Sequence, residues 1–151
     1  MKYTLIALFA LFIISCNSDN DSVVDYIEAN EKEIVDYIAE HNLNATRSSS
    51  GLYYVIDEAG TGTQPTSTSN VTVAYKGYFT SGTVFDQSDA NGISFGLQQV
   101  ISGWTEGIRY FKEGGNGILL IPSHLGYGNS GRGSIPGGAV LIFDIELIAV
   151  N

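Results

Sequence analysis

Few side chains in this sequence belong to a conventional reaction centre. The histidines are His41 and His124, far apart and without a clustered cysteine or acid, so the ligand spacing of a zinc site is missing. The stretch 103–117 holds several glycines but not the Gly-Lys-Ser or Gly-Lys-Thr run of a phosphate loop. No metal site and no cofactor are implied. What remains is a set of aromatics scattered along the chain, Tyr75, Phe85, Phe95, Trp104, Tyr127 and Phe143, with one acid, Asp86, directly after Phe85. Taken singly, such aromatics are ordinary core. Asp86 before Gln87 and Ser88 reads as a turn residue, and Tyr127 between Gly126 and Gly128 as a loop aromatic. Acting together, the rings could supply a dry apolar surface, with Asp86 and Tyr127 as polar contacts at its edge.

Such a surface needs a scaffold, and the chain has the length for one. Its 151 residues, 44% of them hydrophobic, predict a single packed core. Sixteen acidic against 7 basic side chains give a net charge of −9, which reads as a solvated surface and excludes nucleic acid as a partner, since phosphate tracking needs clustered Lys and Arg. From Val23 to about His41 the apolar residues Val23, Val24, Ile27, Ile34, Val35 and Ile38 recur at helical intervals with acids between them, predicting an amphipathic helix with one apolar face. That face could pack on the rest of the chain, meet a second copy or partner, or stay a marginal arm.

After a loop near residues 44–50 the pattern becomes that of strands: 52–56, 71–79, 118–121 and 139–150, rich in β-branched and aromatic residues. In the last of these Leu141, Phe143, Ile145 and Leu147 share one face, so Phe143 points into the core, while Val140, Ile142, Asp144 and Glu146 share the other. Between Gly103 and Phe111, Trp104, Ile108 and Phe111 stand four and three apart, which predicts a short helix laid on the sheet. The expectation is an α+β fold: a curved antiparallel sheet wrapped around one short helix, preceded by the amphipathic helix.

The beginning of the chain has a different logic. Met1 and Lys2 precede an apolar run from Tyr3 to Ile14, the charged and apolar regions of an export signal, too short to span a bilayer. It ends in Ile13-Ile14-Ser15-Cys16, and Cys16 is the one cysteine of the chain. This resembles the bacterial lipobox, in which the cysteine sulfur is lipidated and becomes the first residue of the mature protein. The implied organisation is a signal peptide at 1–15, a flexible polar tether at 16–22, a helix and linker at 23–50, and a folded domain at 51–151. Acyl chains on Cys16 would anchor without spanning, at about 0.8 kcal/mol per buried methylene. The acidic tether is also similar to signals that direct some Bacteroidetes lipoproteins to the cell surface.

Five segments follow one another in an informative order: Val73-Ala74-Tyr75-Lys76-Gly77-Tyr78, Val84-Phe85-Asp86-Gln87-Ser88, Val100-Ile101-Ser102-Gly103-Trp104, Ile121-Pro122-Ser123-His124-Leu125-Gly126-Tyr127-Gly128, and Leu141-Ile142-Phe143-Asp144-Ile145-Glu146-Leu147. Their order and spacing resemble the FK506-binding type (FKBP) of peptidyl-prolyl cis/trans isomerase, over residues 71–150. The resemblance implies Trp104 as the floor beneath a proline ring, with Tyr75, Phe85, Phe95 and Phe143 as walls. It implies Val100 and Ile101 as a rim that aligns the substrate backbone, Tyr127 as a donor to a substrate carbonyl, and Asp86 as a group that orients Tyr75 or polarises the site. Ile135 matches a further apolar position. The chain departs from the pattern in the loop 128–138, which is shortened and places Ser134 beside Ile135, a difference that bears on substrate preference.

The resemblance therefore implies an enzyme that turns prolyl bonds of exported proteins, in the cell envelope and lipid-anchored at the outer membrane, with proline-containing segments as substrates. Two other readings stay open. One is a chaperone that holds such segments in the same pocket without turnover. The other is a subunit of an envelope machine, gliding-related in similar lipoproteins, docked through the helix 23–41.

Overall fold

The structure is a computed structural model that describes residues 25–151. The signal segment 1–15, Cys16, the tether 16–22 and the helical positions Val23 and Val24 lie outside the described residues. The elements are α1 (Ile27–Glu40), β1 (Thr46–Arg47), β2 (Tyr53–Glu58), β3 (Asn70–Tyr78), β4 (Val84–Gln87), β5 (Ile93–Gly96), α2 (Ser102–Gly107) with a 3-10 turn at Ile108–Tyr110, β6 (Asn116–Ile121), a second 3-10 turn at Ser123–Leu125, and β7 (Leu141–Val150). All strand pairs are antiparallel, in a seven-stranded sheet of order β1-β2-β6-β7-β3-β4. β4 and β5 share the outer edge of β3, β4 against Lys76–Tyr78 and β5 against Asn70–Val73. The expected α+β architecture is the one observed.

β7 alternates as its sequence dictates, but only along part of its length. Asp144 and Glu146 face water, whereas Ile142, on their side of the strand, is fully buried, as is Val140 just before the strand. The reason is α1, which covers this end of the sheet. Ile34 sits at 0% exposure in a cluster with Tyr53, Leu120, Val140 and Ile142, flanked by Tyr37 and Ile38. The apolar face of the N-terminal helix is thus spent on the sheet of its own chain. The buried stripe is narrower than the apolar pattern. Ile27 in the first turn and Val35, about 100° round the helix from Ile34, remain exposed at 57% and 45%.

Polar contacts fix the helix further: the Tyr53 hydroxyl donates to Glu31 at 2.6 Å, Arg47 pairs with the same carboxylate at 3.0 Å, and Thr80 donates to Glu33 at 2.6 Å. The opposite face of the sheet carries the main core, in which Val71, Val73, Leu119, Leu141, Phe143, Ile145 and Leu147 meet Trp104, Ile108 and Phe111. α2 reaches this face closely because Gly103 has no side chain. A Cβ there would stand 2.5 Å from the Ile121 side chain.

Candidate active site

The concavity between α2, β3, the β4 and β5 edge and the loop after β6 is a cavity of about 710 Å³. Tyr75, Phe85, Asp86, Phe95, Val100, Ile101, Trp104, Tyr127, Ile135 and Phe143 all line it. The structure therefore gathers every pocket residue singled out from the sequence; Cys16 lies outside the described residues.

Each wall follows from a local cause. Tyr75 shares a face of β3 with Val71 and Val73 by the two-residue period of a strand, and its backbone is held by Ser88, whose N–H donates to the Tyr75 carbonyl and whose Oγ accepts from the Tyr75 N–H, both at 3.0 Å. Phe143 comes from the neighbouring strand, paired with Gly77. Gly77 must be bare, since a Cβ there would lie 2.7 Å from the Phe85 ring and 2.8 Å from the Phe143 ring. Trp104, 5% exposed, rides on α2. Thr105 beside it donates to the Leu97 carbonyl at 2.6 Å, which ties the helix to the segment carrying Val100 and Ile101. Glu106 accepts from Ser50 at 2.7 Å and from Tyr110 at 3.1 Å, fixing the far side of α2.

The rings pack edge to face. Trp104 lies 5.0 Å from Tyr75 at 85° and 5.1 Å from Phe143 at 80°, and Phe85 meets Phe143 at 5.5 Å and 86°. Phe95 tilts against Trp104 at 5.2 Å. Such pairs contribute about 0.5–1.5 kcal/mol each beyond area burial, so the walls hold a fixed shape. The indole N–H of Trp104 is buried with no hydrogen-bond partner among the described residues, a desolvation cost of about 1–3 kcal/mol that the surrounding packing must offset.

Two charged side chains stand among the apolar ones. Asp86 accepts from the Tyr75 hydroxyl at 2.6 Å and from the Gln87 N–H at 2.9 Å. Burial, the bond to Asp86 and the charge of Asp86 together push the Tyr75 phenol well above its ordinary range, so it stays a donor. Arg132 lies over the Tyr127 ring, 5.8 Å from its centroid. Sequence reasoning did not single out Arg132, nor Ile93, Gln99 and Gly133, which also line the cavity. Ile93 stands two residues before Phe95 on β5, a strand too short and too open to solvent to show its period in the sequence. Arg132 and Gly133 belong to a tight turn closed by Arg132 and Ile135 N–H bonds of 2.8 and 2.9 Å, which carries no periodic signal. Among the described residues no group of three His, Cys, Asp or Glu comes together that could hold a metal ion.

Comparison with known proteins supplies the family. Residues 61–148 match the FKBP-type peptidyl-prolyl cis-trans isomerase family. The chain belongs to that family. It is 39% identical to the FKBP-type isomerase FkpA of Aeromonas hydrophila, over 92% of this chain and 52% of that protein. Among solved structures it resembles FkpA from Escherichia coli with a TM-score of 0.75 at 41% identity, covering 82% of this chain and 59% of the other. A peptidyl-prolyl cis-trans isomerase from Pseudomonas syringae gives a TM-score of 0.74 at 33% identity, covering 83% and 93%. The chain spans about half the length of the FkpA proteins it matches first. The family match begins at residue 61, after α1, β1 and β2, whereas the match to the Aeromonas hydrophila protein covers 92% of this chain.

Proposed function

We propose that this protein is a peptidyl-prolyl cis/trans isomerase that assists the folding of exported proteins and works without a covalent step. The observation that carries the reading is the cavity itself: an apolar recess walled by Tyr75, Phe85, Phe95, Trp104 and Phe143, with Asp86 and Tyr127 at its edge.

Turning a prolyl bond means breaking amide resonance against a barrier of about 18–20 kcal/mol, and uncatalysed it takes tens of seconds or longer. Water stabilises the planar, charge-separated amide more than the twisted one, so moving the bond into an apolar recess costs the ground state more than the transition state. Trp104 would carry the proline ring, the other aromatics exclude water, and Val100 and Ile101 align the peptide. The Tyr127 hydroxyl makes no hydrogen bond to the protein among the described residues, so it is free to donate to a substrate carbonyl. Asp86, engaged by Tyr75, would shape the polar edge and needs no proton transfer. The N-terminal pattern extends the proposal: Cys16 would bear the lipid, and the domain would act in the cell envelope, anchored at the outer membrane.

The test is a proline-peptide isomerisation assay on residues 17–151. Catalysed cis-to-trans conversion that falls when Phe85 is truncated is the expected result. Tight peptide binding with no acceleration would replace the enzyme with a holding chaperone.

A further inference from the structure

Asn30, on α1, is 2% exposed, a rare place for a primary amide unless both of its ends are satisfied. Both are. Its Oδ1 accepts from the Ser123 N–H at 2.8 Å and its Nδ2 donates to the Gly138 carbonyl at 2.8 Å. The partners dictate the orientation of the amide, because an N–H needs an oxygen and a carbonyl needs an N–H.

Ser123 and Gly138 are the two roots of the loop that carries Tyr127, Arg132 and Ile135 into the cavity. Within the loop, Gly128 donates to the Ser123 carbonyl at 2.7 Å and Gly138 to the Gly128 carbonyl at 2.9 Å. One side chain therefore pins both ends of a segment that is otherwise closed on itself. It does so from a helix outside the residues that match the family. That helix cannot drift, since Ile34, one turn on, is fully buried between helix and sheet.

We propose that Asn30 is a positioning residue of the pocket: through Ser123 and Gly138 it sets where Tyr127 and Ile135 stand, so that the N-terminal helix acts on substrate turnover without touching substrate. A loop hung from two fixed points holds the Tyr127 hydroxyl at one height above the Trp104 floor. Freed at both roots, it would present the same groups over a range of positions. The inference rests on the proposed isomerase activity.

The experiment compares Asn30→Ala, Asn30→Asp, Tyr127→Phe and the double variant Asn30→Ala/Tyr127→Phe in the chain from residue 17. Activity is expressed per folded molecule, with folding checked by near-ultraviolet circular dichroism. Asn30→Ala is expected to lower kcat/KM by about tenfold, the scale on which sub-ångström misplacement acts. Its loss and that of Tyr127→Phe should be strongly non-additive. Asn30→Asp keeps the shape and the acceptor for Ser123 but turns an oxygen towards the Gly138 carbonyl. At neutral pH it should therefore lower kcat/KM at least as far as Asn30→Ala and recover in acid, where the protonated carboxyl can donate. This pH response carries the comparison if Asn30→Ala does not fold. A lower melting temperature with unchanged kcat/KM would make Asn30 merely structural and overturn the inference, as would simple additivity with Tyr127→Phe. An inactive wild type would instead defeat the isomerase reading. Peptide titration followed through Trp104 fluorescence would then still show whether Asn30 governs the loop, by a weaker affinity in the variants.

Discussion

The Tyr75 hydroxyl and the Asp86 carboxylate, from adjacent antiparallel strands, meet in a 2.6 Å hydrogen bond at the edge of a cavity walled by aromatic rings. The bond leaves Asp86 acting as an acceptor and keeps Tyr75 protonated. A carboxylate occupied in this way is a poor general base, which is the physical reason to expect electrostatic rather than acid–base effects at this site.

Activity should accordingly respond in degrees. Asp86→Ala and Tyr127→Phe each remove a polar contact and should reduce kcat/KM by about 1–3 kcal/mol of transition-state stabilisation. Phe85→Ala should cost more, because it opens the recess to water and removes the contacts to Phe79 and Phe143. Isomerisation kinetics on folded variants check this. Abolition by Tyr127→Phe alone would point to proton transfer in place of desolvation.

Stability should fall in alkali. Burial first, and then the bonds to Asp86 and Asp144, raise the Tyr75 and Tyr78 phenols above their unfolded value of about 10. A raised folded pKa contributes stability that is fully present below about pH 10. That stability is lost as pH rises towards the folded pKa, where the unfolded chain has already released its protons. Denaturant midpoints should be level from these groups at neutral pH and drop by pH 11. Tyr75→Phe/Tyr78→Phe should shrink the drop, with Tyr53 and Tyr110, also raised, leaving a remainder. An unchanged drop in the double variant would contradict the assignment.

The helix on the back of the sheet should be energetically part of the fold. Ile34→Ala removes a fully buried side chain and should cost about 2–5 kcal/mol in urea unfolding. A surface arm would give a change within about 0.5 kcal/mol.

At the N-terminus, Cys16→Ser should abolish fatty-acid incorporation and leave the chain unprocessed, because oxygen does not replace the sulfur nucleophile. Metabolic labelling decides it, with equal label on both proteins ruling out lipidation at this residue.

Much of this arrangement is legible in one dimension, for physical reasons. Tyr75, Trp104 and Phe143 lie on elements with a clear period, and the period fixes their face. β4 and β5 escape the same treatment because they are short and mostly open to solvent, so their side chains need not alternate. The place of α1 is hidden for another reason. Val140 and Ile142 look like the outer face of a strand that continues into Asp144 and Glu146, and only the helix across the chain explains their burial. Asn30 is the extreme case: a polar residue on the buried side of a helix weakens the very pattern by which that side is recognised.

The position of β7 also bears on how the molecule comes into being. This strand lies between β3 and β6, pairing with both along most of its length, and it brings Phe143 to the cavity. A chain that emerges amino end first delivers Tyr75 and Trp104 well before the strand that unites them. Until residues 141–150 arrive, β3 and β6 have no shared neighbour, and the sheet exists only as separate ribbons. The recess is therefore a product of the completed chain. A stalled or clipped chain lacking this strand would retain most of the family's signature residues and possess no pocket.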